Sequence, residues 1–149
     1  MIMTADFKKR RLKKRMLKML EIVSKHYNLN NRASVDNACV YVFKAEDGEV
    51  RNCAVGMFLP KRIKSIIEDN VDINSAGVQN LFKFLKKKKI ATPKRLKGLS
   101  ITFLNDLQNL HDTNKYWEVN GMSFIGKREV KHIRLKILDN YYLHGLNVD

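Results

Sequence analysis

Residues 39–60 read CVYVFKAEDGEVRNCAVGMFLP, and the fold turns on this stretch. Its opening, Cys39-Val40-Tyr41-Val42-Phe43, is β-branched and aromatic, a composition suited to a pleated, half-buried surface. Asp47-Gly48 supplies a two-residue hairpin connector. Residues 50–55 return as the second strand, with Val50, Asn52 and Ala54 on one face. The strand closes on small residues, Cys53-Ala54-Val55-Gly56, so another element must pass close to that backbone. Leu59-Pro60 then opens a helix, since proline is tolerated in a first helical turn. Cys53 is thereby expected at a strand end, just ahead of a helix.

Helical patterns lie on both sides of this hairpin. Residues 4–27 predict one long helix, with Thr4 as N-cap, Asp6 in the first turn, and Phe7, Leu12, Met16, Met19, Leu20 and Val23 as its apolar stripe. The first 18 residues carry eight cations, Lys8, Lys9, Arg10, Arg11, Lys13, Lys14, Arg15 and Lys18, against one acid. The first 15 residues also read as a basic helical extension. Residues 28–37 are a polar connector. Beyond the hairpin, residues 60–68 predict a short helix facing inward through Ile63, Ile66 and Ile67, and residues 69–75 a loop. Ser75 is placed to cap a helix over 76–87, buried through Val78, Leu81, Phe82 and Leu85.

A second basic cluster follows. Between Lys83 and Lys97 there are eight cations and no acid, including Lys86, Lys87, Lys88, Lys89, Lys94, Arg95 and Lys97. Thr92-Pro93 interrupts any helix there, so this cluster is expected in a loop. Ser100 caps the next helix, which shows an apolar face of Phe103, Leu104, Leu107 and Leu110 and ends at His111-Asp112. Tyr116 and Trp117 form a short segment closed by Gly121. Ser123 caps a last helix running to about Leu143, with Ile125, Val130, Ile133, Ile137, Leu138 and Tyr141 inward, and Gly145 stops it. The sum is an α+β fold: a small antiparallel β-hairpin or sheet over residues 38–56, covered by about five helices.

A chain of 149 residues with 44% hydrophobic residues fits a single domain (residues 1–149) with a real core. No apolar run reaches the roughly 18 residues of a membrane span, and the basic N-terminus lacks the apolar stretch of a secretory signal. Two cysteines without such a signal point to reduced thiols in a cytosol, although a Cys39–Cys53 bridge across the hairpin is geometrically conceivable. The formal net charge of +14 favours polyanions: nucleic acid, an anionic membrane surface or an acidic protein. Of these, nucleic acid or an acidic host protein is the expected partner, and no membrane.

Three residues invite a catalytic reading. In Cys53, His111 and Asp112 a thiolate attacks, an imidazole takes its proton and a carboxylate orients the ring. A cysteine beside a helix N-terminus has its thiol activated. Against this, Asp112 adjoins His111 on a helix, so the two side chains should diverge. The bland alternative is a buried small cysteine and a helix-end histidine. Cys39, Cys53 and His111 match no zinc spacing, and no phosphate-loop, dinucleotide or H-E-x-x-H motif is present. No metal and no cofactor is therefore expected.

Nucleic-acid binding draws on Lys8, Arg10, Arg11, Lys14, Arg15, Lys86, Lys87, Lys88, Lys89, Lys94, Arg95 and Lys97. Lysine dominates the second cluster, which suits phosphate contact better than base reading. The two clusters make one surface only if the first helix and the 86–97 segment lie on the same side.

Asn30-x-Arg32-x-Ser34, Cys39-x-Tyr41, Asp47-Gly48, Cys53-Ala54-Val55-Gly56, Leu59-Pro60, Leu107-Gln108-x-x-His111-Asp112 and Trp117 occur in that order. In this the chain resembles a group of small tailed-phage and prophage proteins of unassigned function that share the paired Cys-Ala-Val-Gly and Leu-Gln-x-x-His-Asp motifs. The likeness spans roughly residues 15–145; the 86–97 segment and the basic N-terminus depart from it. It implies a bacteriophage origin, a bacterial host cytoplasm as the workplace, and a shared Cys53, His111 and Asp112 constellation. The expected function is that of a basic accessory protein that binds nucleic acid or a host macromolecule and redirects or inhibits host machinery. The alternative is a cysteine-dependent hydrolase or transferase using Cys53 and His111.

Overall fold

The structure is a computed structural model that describes residues 2–35 and 38–149, with the side chains of 34, 35, 38 and 39 left aside. Helix α1 spans Ala5–His26. Thr4 caps it as expected, its hydroxyl accepting from the Phe7 amide at 3.3 Å. Only its second half is docked: Met16, Met19, Leu20 and Val23 are buried, while residues 2–11 are exposed. The bare turns carry the densest charge, because like cations repel and none of them can be buried cheaply.

The hairpin exists but is shorter than its composition suggests. Val42–Lys44 (β3) pairs antiparallel with Val50–Asn52 (β4). Cys39 does not join that ladder. It lies in β2 (Ala38–Cys39), which folds back on β1 (Ser34–Val35) within the stretch expected as connector. The break falls at Val40-Tyr41, where the Tyr41 amide donates instead to the Asn74 carbonyl at 3.0 Å. The turn has three residues, not two. Ala45 and Glu49 close it (N to O, 2.8 Å), and Gly48 takes a left-handed φ of +83°. This is the type I turn with a left-handed third residue, the next commonest solution for a hairpin.

β4 ends at Asn52, and Cys53-Ala54-Val55 bend into a 3-10 turn over Gly56–Phe58. The expected close approach occurs here. A Cβ on Gly56 would stand 2.1 Å from the Tyr41 carbonyl oxygen, so only glycine fits. Pro60 caps α2 (Lys61–Glu68), which buries Ile63 and Ile67 while Ile66 is half-buried. Residues 71–74, expected as loop, form the short helix α3 (Val71–Asn74). Helix α4 (Val78–Lys87) is capped by Gly77, not Ser75, and buries Val78, Leu81 and Leu85. The helix ends at Lys87 as expected, so of the basic cluster Lys86 and Lys87 lie in its last turn and the cations from Lys88 onward follow it.

Helix α5 (Ile101–Asp112) starts on the Ser100 cap, with the Phe103 amide 3.3 Å from its hydroxyl. A second small hairpin joins β5 (Trp117–Glu118) to β6 (Gly121–Met122). Helix α6 (Phe124–Leu138) follows the Ser123 cap. It ends five residues before Leu143, because Asn140 turns left-handed (φ +63°) into a 3-10 turn over Tyr141–Leu143. That turn buries Tyr142 and leaves Tyr141 54% exposed. Ile125 and Leu138 are also exposed. The buried stripe of α6 is Gly126, Val130, Ile133 and Ile137, and these two lie one residue off it.

The core sits where α1, α5 and α6 cross, with the β3–β4 hairpin and α2 closing one side. The chain end pairs with the residues before α5: the Val148 amide donates to the Leu99 carbonyl at 2.8 Å, and Gly98 to Val148 at 2.7 Å. The architecture is helix-rich α+β, with three two-stranded antiparallel pairs among the described residues. No helix among them is long and apolar enough to cross a membrane.

Candidate nucleic-acid interface

The two basic segments meet. Arg15 lies three residues after Leu12 and four before Met19, on the border of the buried face of α1. From there its guanidinium reaches the 94–97 turn. One nitrogen donates to the Lys97 carbonyl at 2.9 Å, the other to the carbonyls of Lys94 at 2.9 Å and Arg95 at 2.6 Å. A planar fork with several donors can bridge three carbonyls in this way; an ammonium presents no such fork. Burial, then repulsion from Arg11, lowers the Arg15 pKa from its ordinary value. Arg15 was expected to bind nucleic acid, but its guanidinium is engaged with the protein's own backbone.

The turn itself is built around one anchor. Leu96 is fully buried, and the amides of Leu96 and Lys97 both donate to the Pro93 carbonyl at 3.0 Å. With Leu96 driven inward, Lys94, Arg95 and Lys97 are left exposed. Arg95 lies 4.8 Å from the centre of the Phe58 ring, a cation–π contact that sets its direction. Arg95 shares a shallow depression with Arg15 and Lys18. Arg15 and Lys18 share the next with Arg11, Lys14 and Glu21. Lys8 stands one turn before Arg11, and Arg10 one turn before Lys14, so all of these extend the same stripe along α1.

Glu21 is the acid in this track. It pairs with Lys25 at 3.0 Å and Lys18 at 3.6 Å. Its carboxyl is held below the usual range by the Lys25 hydrogen bond first and by the charge of Lys18 next. Among the described residues, Lys8, Arg10, Arg11, Lys14, Lys87, Lys88, Lys89, Lys94, Arg95 and Lys97 form no ion pair with a carboxylate. Lys86 does, with Asp149 at 3.6 Å, and both partners are largely exposed.

The Cys53, His111 and Asp112 constellation occupies a different place. Cys53 is fully buried, and its sulfur accepts from the Gly56 amide at 3.3 Å. His111 is 1% exposed. Tyr27 packs beside both: its ring meets the imidazole edge-on at 4.7 Å, and its hydroxyl donates to the Asn52 carbonyl at 2.6 Å, next to Cys53. Gln108 accepts from the Val55 amide at 2.9 Å. Arg32 donates to the His111 carbonyl at 2.6 Å and to the side chain of Asn114. Trp117 donates its indole N–H to the Leu110 carbonyl at 2.8 Å. Arg32, Gln108 and Trp117, from three of the motifs singled out, thus hold the last carbonyls of α5 and the bend after β4.

One expectation about it is overturned. His111 and Asp112 do not diverge; Nδ1 and Oδ1 are 2.7 Å apart. Neighbours on a helix step by about 100°, but both side chains bend across that gap at the helix end. Asp112 also opens onto a polar cleft with Asn74, Asn105, Gln108 and Asn109. Lys64 has its pKa lowered by partial burial, with the nearby Cys53 acting in the opposite direction. Among the described residues, no three of the types His, Cys, Asp and Glu gather where they could hold a metal ion.

Two features escape a linear reading. The Arg15 link was visible only as a cation on the edge of an apolar stripe. The second is a cleft of about 570 Å³ beside α4, framed by Lys83, Lys86 and Lys89 over apolar side chains. No protein-family model, curated protein or solved structure matches this chain.

Proposed function

We propose that this protein is a phage-encoded basic accessory protein that works in a bacterial host cytoplasm by binding the phosphate backbone of nucleic acid, so as to redirect or inhibit host machinery. The observation that carries this reading is the Arg15 fork, which draws Lys94, Arg95 and Lys97 alongside the α1 stripe. Gathered cations, with only Asp6 and Glu21 as acids on the same helix, raise the local potential far more than the same charges scattered. Their exposure suits counterion release, in which each neutralised phosphate adds to the affinity at low salt.

The thiol is read here as part of the scaffold. Cys53 and His111 are both sealed from solvent, and their neighbours are engaged in holding backbone. A nucleophile needs a route for its substrate.

Fluorescence anisotropy with a labelled mixed-sequence DNA of about 20 nucleotides tests the binding. The logarithm of affinity should fall linearly with log salt, by about 0.7 to 0.9 per phosphate contacted. Unchanged affinity between about 50 and about 500 mM salt would overturn the reading. Recovery of an acidic protein from nuclease-treated lysate, with no retention of DNA, would point instead to a host protein as the partner.

A further inference from the structure

We infer that the cleft beside α4 seats an unpaired base, so that the preferred ligand is single-stranded nucleic acid. This rests on the nucleic-acid reading above and names the form of ligand it would take. The cleft lies between α4, the turn after it, the start of α5 and the paired chain end, and measures about 570 Å³. That is a size at which ligand sites occur.

Its chemistry is layered. Phe82, Ile90 and Ile101 supply an apolar lining, and all three are half-buried against the core. Lys83, Lys86 and Lys89 stand around them. Phe82 and Lys86 fall at i and i+4 of α4, so one helical face delivers both the aromatic ring and a charge, with Lys83 at its edge. A duplex offers phosphates and base edges but hides the faces of its bases. A single strand offers phosphates and bare base faces together, which is the pairing this cleft complements. The exposed Lys86–Asp149 pair at 3.6 Å is weak enough for a phosphate to displace.

The turn after α4 adds a second, independent observation. Lys89 is left-handed (φ +57°); its amide donates to the Lys86 carbonyl, and the Ile90 amide donates to that of Leu85. This closing motif ordinarily takes glycine, because a side chain there is strained. The chain carries lysine instead, and the strained residue is one that frames the cleft. From Lys89 the backbone runs through Pro93 to the 94–97 turn held by Arg15, so cleft and α1 stripe are joined by one short stretch of chain.

The test compares labelled oligo(dT) with a mixed-sequence duplex, each about 20 nucleotides long, on the full chain. The single strand should bind several-fold more tightly. Phe82→Leu keeps the apolar packing and removes the ring; it should cost about fivefold or more in oligo(dT) affinity and leave duplex binding within about twofold. Lys89→Gly should weaken oligo(dT) binding while raising the melting temperature, a pairing that a purely structural lysine would not produce. Salt-dependent duplex binding with no preference for the single strand would sink the cleft proposal and leave the basic-surface reading standing. Binding to neither nucleic acid would sink both. An amphipathic Glu/Leu helical peptide that displaces oligo(dT) at lower concentration would also overturn it, assigning the cleft to an acidic protein segment.

Discussion

Arg15 holds the backbone of Arg95: a guanidinium nitrogen of the first lies 2.6 Å from the carbonyl oxygen of the second. One cation is thereby used to position another. The arrangement is stable because the contact runs to a carbonyl dipole and not to the second charge. It converts two basic segments, some 80 residues apart in the chain, into neighbours.

Replacing Arg15 therefore tests structure and binding together. Arg15→Ala removes three charge-assisted hydrogen bonds to carbonyls that lie partly in solvent. A loss of about 2 kcal/mol in chemical denaturation is expected. DNA affinity should fall by more than it does for Lys14→Ala, which removes the same charge without freeing the turn. Arg15→Lys should recover little stability, since the fork is lost.

Glu21 neutralises part of the stripe. Glu21→Gln should raise affinity for DNA about two- to threefold at low salt and steepen the salt dependence, with the gain vanishing as ionic strength rises. An unchanged affinity at low salt would mean that the ligand does not pass over this part of α1.

Cys53 should resist alkylation. Mass spectrometry after iodoacetamide treatment at neutral pH should find Cys53 unmodified in the folded protein and modified in denaturant. Rapid labelling in the native state would revive the thiol chemistry set aside above.

Gly56→Ala should be among the most damaging single substitutions, because the new methyl would meet the Tyr41 carbonyl at 2.1 Å. Backbone at that distance cannot yield cheaply, and a loss of about 3 kcal/mol or a failure to fold is expected. Gly77→Ala, with nothing within 4 Å, is the matched control.

Stability should decline in strong alkali through Tyr142. Its phenol is raised well above its ordinary range, by burial first and by the Asp106 carboxylate it donates to second. The folded state thus retains a proton that the unfolded chain releases. The contribution is complete below the ordinary phenol range near pH 10 and is lost as pH climbs beyond it. Denaturation midpoints for Tyr142→Phe should change less with pH above that point than those of the parent protein.

Much of this fold was legible from residue order. The caps at Thr4, Ser100 and Ser123 act locally, through a hydroxyl reaching an amide three residues on, so pattern alone finds them. The hairpin was visible in its β-branched run, but its ends were not. Where Tyr41 leaves the ladder depends on Asn74, over 30 residues away. The end of α6 was missed for a similar reason. Tyr141 and Tyr142 are equally apolar, and only the space beside Phe103 and Asp106 selects Tyr142 for burial.

The candidate site divides in the same way. Charge is a property of composition, so the chain's attraction to polyanions and its two cationic runs could be read without coordinates. Whether those runs add or act apart is a matter of distance, since screened charges more than about 10 Å apart scarcely feel each other. Leu96 and Arg15 set that distance by reaching across the fold. The cleft beside α4 needed still more: Phe82, Ile90 and the lysine rim are near neighbours in sequence, but the opposite wall, Ile101 and residues 146–149, is brought to them only by tertiary packing.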